Sequence, residues 1–285
     1  METKRILLTV VILFVAGGFA LAGEHGMTGT LGLAESRQGE LSSAIDVTYL
    51  SRNIWRGFDL YRKNHSAIQP SIDLDLFGTG LGVNVLYSRA NRSGFENSAW
   101  LPVTLYYKNS LLCESFSTNY KIGWVYYNFP NTSGRNADLQ EAFATISMPK
   151  LLPCNFVPHY SLIYMWPSRG GAKYVSDFAG WMHIFGLSYD WVMPAVAPET
   201  AEQIIHLSAD LTYNDGLGNS TFREGVVGGK PVDHDWSHAV FGITTDFSIA
   251  KNLTVTPGIY HQLSMDDSVN PSDETWGRVS LTCRF

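Results

Sequence analysis

Only three of the 285 residues are cysteine, and the odd set Cys113, Cys154 and Cys283 cannot pair completely within the chain. That excludes a disulfide framework of the small secreted kind, and none of the spacings suits zinc. A single bridge between Cys113 and Cys154, which both fall in short turns on one side, stays open as an alternative in an oxidising compartment. Charge is scarce as well: 16% of residues are charged, against roughly 25% in soluble domains. The net charge of −6 argues against nucleic acid as a partner. Beyond residue 19 no apolar run approaches about 18 residues, so there is no candidate helical membrane span. Gly-x-Ser-x-Gly, His-Glu-x-x-His and phosphate-cradling glycine loops are all missing, and with them the commonest signatures of hydrolases, metalloproteases and nucleotide enzymes. No cofactor and no metal are expected.

The one apolar run that exists lies at the N-terminus. Lys4 and Arg5 precede residues 6–19, and Ala20-Leu21-Ala22 supplies small residues before Gly23. This is the three-part pattern of a secretory signal peptide, expected to span residues 1–22 and to be removed. Its loss takes away Glu2, Lys4 and Arg5 and moves the formal charge from −6 to −7. Residues 23–42, Gly-rich, polar and without period, read as a flexible leader, leaving 43–285 as the folded unit.

What the chain has in abundance is alternation. Aromatics make up 13%, yet mean hydropathy is only −0.04, as happens when apolar and polar residues take turns. Twelve segments of period two run near residues 44–50, 66–77, 81–89, 99–108, 116–127, 139–148, 156–166, 181–191, 204–214, 238–249, 253–263 and 276–285. In the second, Ile68, Pro70, Ile72, Leu74 and Leu76 alternate with Gln69, Ser71, Asp73 and Asp75. In the last, Val279, Leu281, Cys283 and Phe285 share one side, and Arg278, Ser280, Thr282 and Arg284 share the other. Successive side chains of a strand point to opposite faces, so each segment presents an apolar face to lipid and a polar face to a wet interior.

Connector lengths provide an independent test. Residues 52–65, 90–98, 128–138, 167–180, 215–237 and 264–275 are long; 78–80, 109–115, 149–155, 192–203 and 250–252 are short, with only 192–203 overshooting. Long exterior loops alternating with short periplasmic turns belong to a transmembrane antiparallel up-and-down β-barrel of about twelve strands. Aromatics gather at strand ends as two girdles: Tyr87, Trp100, Trp166, Trp181, Tyr213, Trp236 and Trp276 towards the exterior, and Phe77, Tyr107, Phe116, Phe156, Trp191, Phe247 and Phe285 towards the periplasm. The expected location is the outer membrane of a Gram-negative-type bacterium. Expected partners are its lipid and lipopolysaccharide, small solutes, and the barrel-assembly machinery that reads a terminal strand ending at Phe285; a homo-oligomer is left open.

Asp46-Val-Thr-Tyr-Leu-Ser-Arg-Asn-Ile-Trp-Arg-Gly-Phe-Asp59, then Ala67-Ile-Gln-Pro-Ser-Ile-Asp-Leu-Asp-Leu-Phe77 and Gly80-Leu-Gly-Val-Asn-Val85, resemble the opening of the TorF-like porin family. In that family a Ser-x-x-x-Trp/Phe-Arg-Gly stretch precedes a strand and a Gly-rich turn; the Ile68-Gln69-Pro70 order here departs from its Pro-x-x-Gln pattern. Glu141 and Tyr213-Asn214-Asp215-Gly216 are similar too. The resemblance spans most of the mature chain and implies a porin of unspecified substrate.

Parity places Asp46, Asp73, Asp75, Glu141, Asp190, Asp210 and Asp246 inside, against Lys121, Arg278 and Arg284. Either these groups line a hydrated pathway with excess negative charge, or they pair with one another and close it. Arg52, Arg56, Arg62 and Lys63 form a basic group in the first exterior loop, with Trp55 and Phe58 between them. They either grip lipopolysaccharide phosphate or an anionic solute, or Arg56-Gly57 folds inward onto the interior acids. Asp266, Asp267, Asp273 and Glu274 lack the spacing of a calcium loop and read as a solvated loop. The sequence therefore favours a passive channel and no enzyme. The rivals are a lipid-modifying barrel enzyme and a non-conducting adhesin or receptor. For the enzyme only outward His183 and His261 stand near the rim, about 14 Å apart at 4.8 Å per strand, with no matching serine and acid. The adhesin rests on the length of residues 215–237.

Overall fold

The computed structural model describes residues 17–19, 30–32, 39–61, 65–111, 117–170, 172–194, 202–219 and 231–285. Twelve strands follow in chain order: β1 (Ser42–Leu50), β2 (Ala67–Asp75), β3 (Leu81–Leu86), β4 (Leu101–Leu111), β5 (Thr118–Asn128), β6 (Leu139–Ser147), β7 (Val157–Pro167), β8 (Gly180–Met193), β9 (Gln203–Asp215), β10 (His234–Thr245), β11 (Leu253–Ser264) and β12 (Glu274–Arg284). Each pairs antiparallel with the next. β12 then returns to β1, with Thr282 opposite Asp46, and the cylinder is closed. Arg89–Ala90 prolongs β3 against β2, and Phe247–Ala250 prolongs β10 against β11. Gly17–Phe19 and Thr30–Gly32 pair with each other outside the main sheet. The rest of the expected signal peptide and most of the leader lie outside the described residues, and β1 already begins at Ser42.

Alternation is what makes these segments strands. In β1, Ile45, Val47 and Tyr49 are 42–46% exposed on the outer face, while Ala44, Asp46, Thr48 and Leu50 are buried on the inner one. Read from pair to pair, the register climbs by about 16 residues in one circuit, which tilts the strands by roughly 45°. At the usual 4.8 Å between strands the backbone cylinder is then roughly 26 Å across. Side chains alone do not fill that width, so chain from the loops must do so if the interior is to be closed.

Inward glycines shape the wall. A Cβ on Gly82 would lie 2.2 Å from the Tyr106 ring, and one on Gly123 would lie 2.6 Å from Phe143. Without them, these rings lie flat against the neighbouring strand. Two expected girdle residues belong here as well. Trp100 and Trp276 point into the barrel and are buried, because they share parity with Thr104 and Ser280 and not with the outward Leu105 and Val279. Trp181, Trp236, Phe77, Trp191, Phe247 and Phe285 do face outward; Phe116 lies outside the described residues.

Candidate functional site: a charged lumen beneath an inserted hairpin

The half of the barrel nearest the short turns is polar: Asp46, Asp73, Asp75 and Lys121 are buried against the wall, and a few side chains stay accessible. Asp190 and Asp246 keep 43% and 32% of their side chains exposed, and Lys108 keeps 27%. Each acid is held by neighbours on the wall. Thr48 Oγ1 donates to Asp46 Oδ1 at 2.6 Å, and Thr282 Oγ1 donates to its Oδ2 at 2.7 Å across the closing seam. Tyr106 OH donates to Asp73 at 2.7 Å, and Lys121 Nζ sits 4.0 Å from the Tyr106 ring centroid. Lys108 meets Asp75 at 3.3 Å, Arg284 donates to Thr254 at 3.1 Å and Arg278 to Ser280 at 2.9 Å. Opposite, His206 meets Asp190 at 2.7 Å, while Asp246 accepts from Thr256. His159 Nε2 reaches over β8 to Asp210 at 2.8 Å. It can do so because Gly186 lies between them; a Cβ there would be 1.9 Å from that nitrogen.

The half nearest the long loops is dry. Residues Ile54–Trp55 and Phe58–Asp59 form a two-residue hairpin that enters the barrel. Arg56 and Gly57 at its tip have φ of 53° and 85°, the positive pair that a tight primed turn requires. Gly57 could not be replaced cheaply, since a Cβ would lie 2.6 Å from His238 Nδ1. Arg56, 1% exposed, donates through Nη2 to Glu141 Oε2 at 2.9 Å, and Tyr127 OH donates to the same oxygen at 2.7 Å. Trp55 packs edge-on against Trp100 and Tyr127, which stack on each other at 5.4 Å. Ala172, Val175, Phe178 and Leu217 from later loops join the same cluster.

Both ends of this hairpin are tied down. At its base Leu60 N donates to Asn53 O, and Gln69 Nε2 donates to Asn53 Oδ1 and Ser88 Oγ. The Tyr61 phenol shares Ser88, and burial pushes it above its ordinary pKa. At the tip Gln262 Nε2 donates to Gly57 O at 3.1 Å. Phe58 is covered by Val232 and Val269 from the last two long loops.

These positions correct part of the reading from sequence. Of the two alternatives left open for Arg56-Gly57, the inward one holds and the exterior basic loop does not: the hairpin turns inward because Ile54, Trp55 and Phe58 would otherwise leave three large apolar side chains in water. Arg52 instead pairs with Glu274 at the start of β12, and Arg62 and Lys63 lie outside the described residues. Asp46, Asp73, Asp75, Lys121, Asp246 and Arg284 are on the inner face of the turn half, Asp210 and Arg278 lie on the inner face nearer mid-height, and Glu141 is under the hairpin. The last loop is folded, not simply solvated: Asp266 is buried and accepts from Ser268, and Glu274 is buried too. Cys154 is an exposed free thiol and Cys283 is also free; Cys113 lies outside the described residues. Outward His183 meets Tyr160 OH at 2.8 Å and His261 meets Thr275 at 2.8 Å. Sequence reasoning missed His159, His206 and the inward glycines, although Gly186 shares parity with Asp190 and so had to face the interior.

No protein family and no curated relative matches the chain. Among solved structures it is similar to the KdgM porin (TM-score 0.48, 9% identity, 85% of this chain and 99% of that one). The NanC porin gives 0.49, 8%, 85% and 98%. Outer membrane phospholipase A from Escherichia coli gives 0.45, 12%, 84% and 89%. Channels and a phospholipase stand side by side among these structures, all three with scores below 0.5, and the barrel rests on the strand pairing described above.

Proposed function

We propose that this chain is an outer-membrane channel that passes small solutes along the charged wall of the turn half. The observation that carries the reading is a closed cylinder with an apolar outer belt and an inner wall of ionisable groups, of which Asp190 and Asp246 stay accessible. A soluble protein would gain nothing from exposing Ile45, Val47, Phe241, Ile243, Val279 and Leu281 around a polar centre, whereas a bilayer rewards it. Asp46, Asp73, Asp75, Asp190, Asp210 and Asp246 outnumber Lys108, Lys121, Arg278 and Arg284, so the lumen favours cations and neutral solutes.

The same reading puts the chain among TorF-like porins, in lipid and lipopolysaccharide, with the strand ending at Phe285 recognised during assembly. It assigns no catalysis, since Tyr160 and Thr275, and no serine–acid pair, stand beside His183 and His261. Reconstitution in a planar bilayer tests it: stepwise conductance is expected, with a reversal potential under a KCl gradient that favours K⁺. A folded, inserted protein that never conducts overturns the reading.

A further inference from the structure

The hairpin lies inside the cylinder near the long loops, packed against its inner wall. We propose that Ile54–Asp59 is an autoinhibitory plug, latched by Arg56 on Glu141, whose withdrawal opens the loop end. The inference rests on the channel reading above.

Four observations support a latch and not merely a filled core. The inserted element is a discrete hairpin with its own pairing, so it can leave as a unit without breaking the barrel ladder. Its tip carries an ion pair against an aromatic cluster: the Arg56 guanidinium and the Tyr127 hydroxyl share one oxygen of a carboxylate that is 0% exposed. Oil-like packing alone would fill the space as well, but it would not fix one register; a charged pair does, because the guanidinium finds its partner at one depth only. The base is anchored by hydrogen bonds through Asn53, Gln69 and Ser88, a short polar hinge that survives when the tip moves. Finally, the hairpin separates an accessible lumen from the long loops. Beneath it Asp190 and Asp246 are open, and around it Leu139, Glu141, Ile163, Met165 and Met182 are sealed. Phe58 under Val232 and Val269 makes the outer loops a cover that must lift with it.

Single-channel recording on three full-length proteins tests this: wild type, Arg56→Ala, and a variant with residues 54–59 replaced by a Gly/Ser segment of equal length. Folding of each is checked by the change in electrophoretic mobility on boiling. Wild type is expected to open rarely, the Gly/Ser variant to stay open, and Arg56→Ala to raise the open fraction on the order of a hundredfold. Equal open fractions in all three would overturn the latch and leave the channel reading intact. Silence from all three, with each folded, would overturn both.

Discussion

The two halves of this barrel are built from the same strands yet obey different rules. Near the short turns, Asp46, Asp73 and Asp75 are held by polar neighbours on the wall, while Asp190 and Asp246 sit half-exposed where water reaches them. Near the long loops, one acid, Glu141, is held in a dry aromatic cluster, and it requires Arg56 and Tyr127 together. Losing a partner should therefore matter greatly in the second case and little in the first, because an uncompensated buried charge is far costlier than an exposed one.

The largest effect is expected at the dry end. Arg56→Ala should destabilise the folded barrel by about 3–5 kcal/mol, read from urea unfolding in detergent. Pairing Arg56→Met with Glu141→Gln should recover most of that, and a double mutant as unstable as Arg56→Ala would show that charge is not the cause. Next comes the boundary. Gly186→Ala pushes a methyl into His159 and Asp210 and should cost about 1–3 kcal/mol, whereas the same change at Gly170, with open space around it, should be silent. Asp190→Asn with Asp246→Asn should move stability by about 0–1 kcal/mol but shift the reversal potential towards anions. A stability loss comparable to Arg56→Ala would erase the distinction between the halves.

The smallest effect lies on a loop. The backbone N–H of Glu96 itself, and then that of Gly94, which donates at 2.9 and 3.1 Å, hold the Glu96 carboxyl below the ordinary range. A depressed folded pKa means that its contribution is present above the unfolded value and is lost as pH falls through the folded one. Unfolding midpoints should thus fall slightly in acid, and Glu96→Gln should flatten that dependence.

How much of this was legible beforehand follows from how local each signal is. The twelve strands were legible because parity is written in adjacent residues: Ile68, Ile72 and Leu74 cannot share a face with Asp73. Strand ends moved by a few residues; β10 begins at His234, within what read as a long loop, and the register shifts at Ser237, opposite the Thr212–Tyr213 step of its partner. Inner acids followed from the same parity. The hairpin was legible only as one of two alternatives, inward or outward, because parity does not say which way a loop turns, although Ile54, Trp55 and Phe58 around Arg56-Gly57 make an apolar segment unsuited to solvent. Trp100 and Trp276 were misplaced when position along the strand was given more weight than parity. The contact of His159 with Asp210 joins residues 51 apart and was invisible until β7, β8 and β9 were laid side by side.

The closing seam has a consequence for how the molecule comes into being. Thr282 and Asp46 meet across an interval of 236 residues, and Ser43 and Phe285 exchange backbone bonds beside them. A contact so distant along the chain must wait for nearly every other pairing, so the fold carries its slowest step at its last joint. Until that joint is made, two unpaired ribbons lie open to any neighbour with a free edge, and escape from that danger depends on the final dozen residues arriving in register.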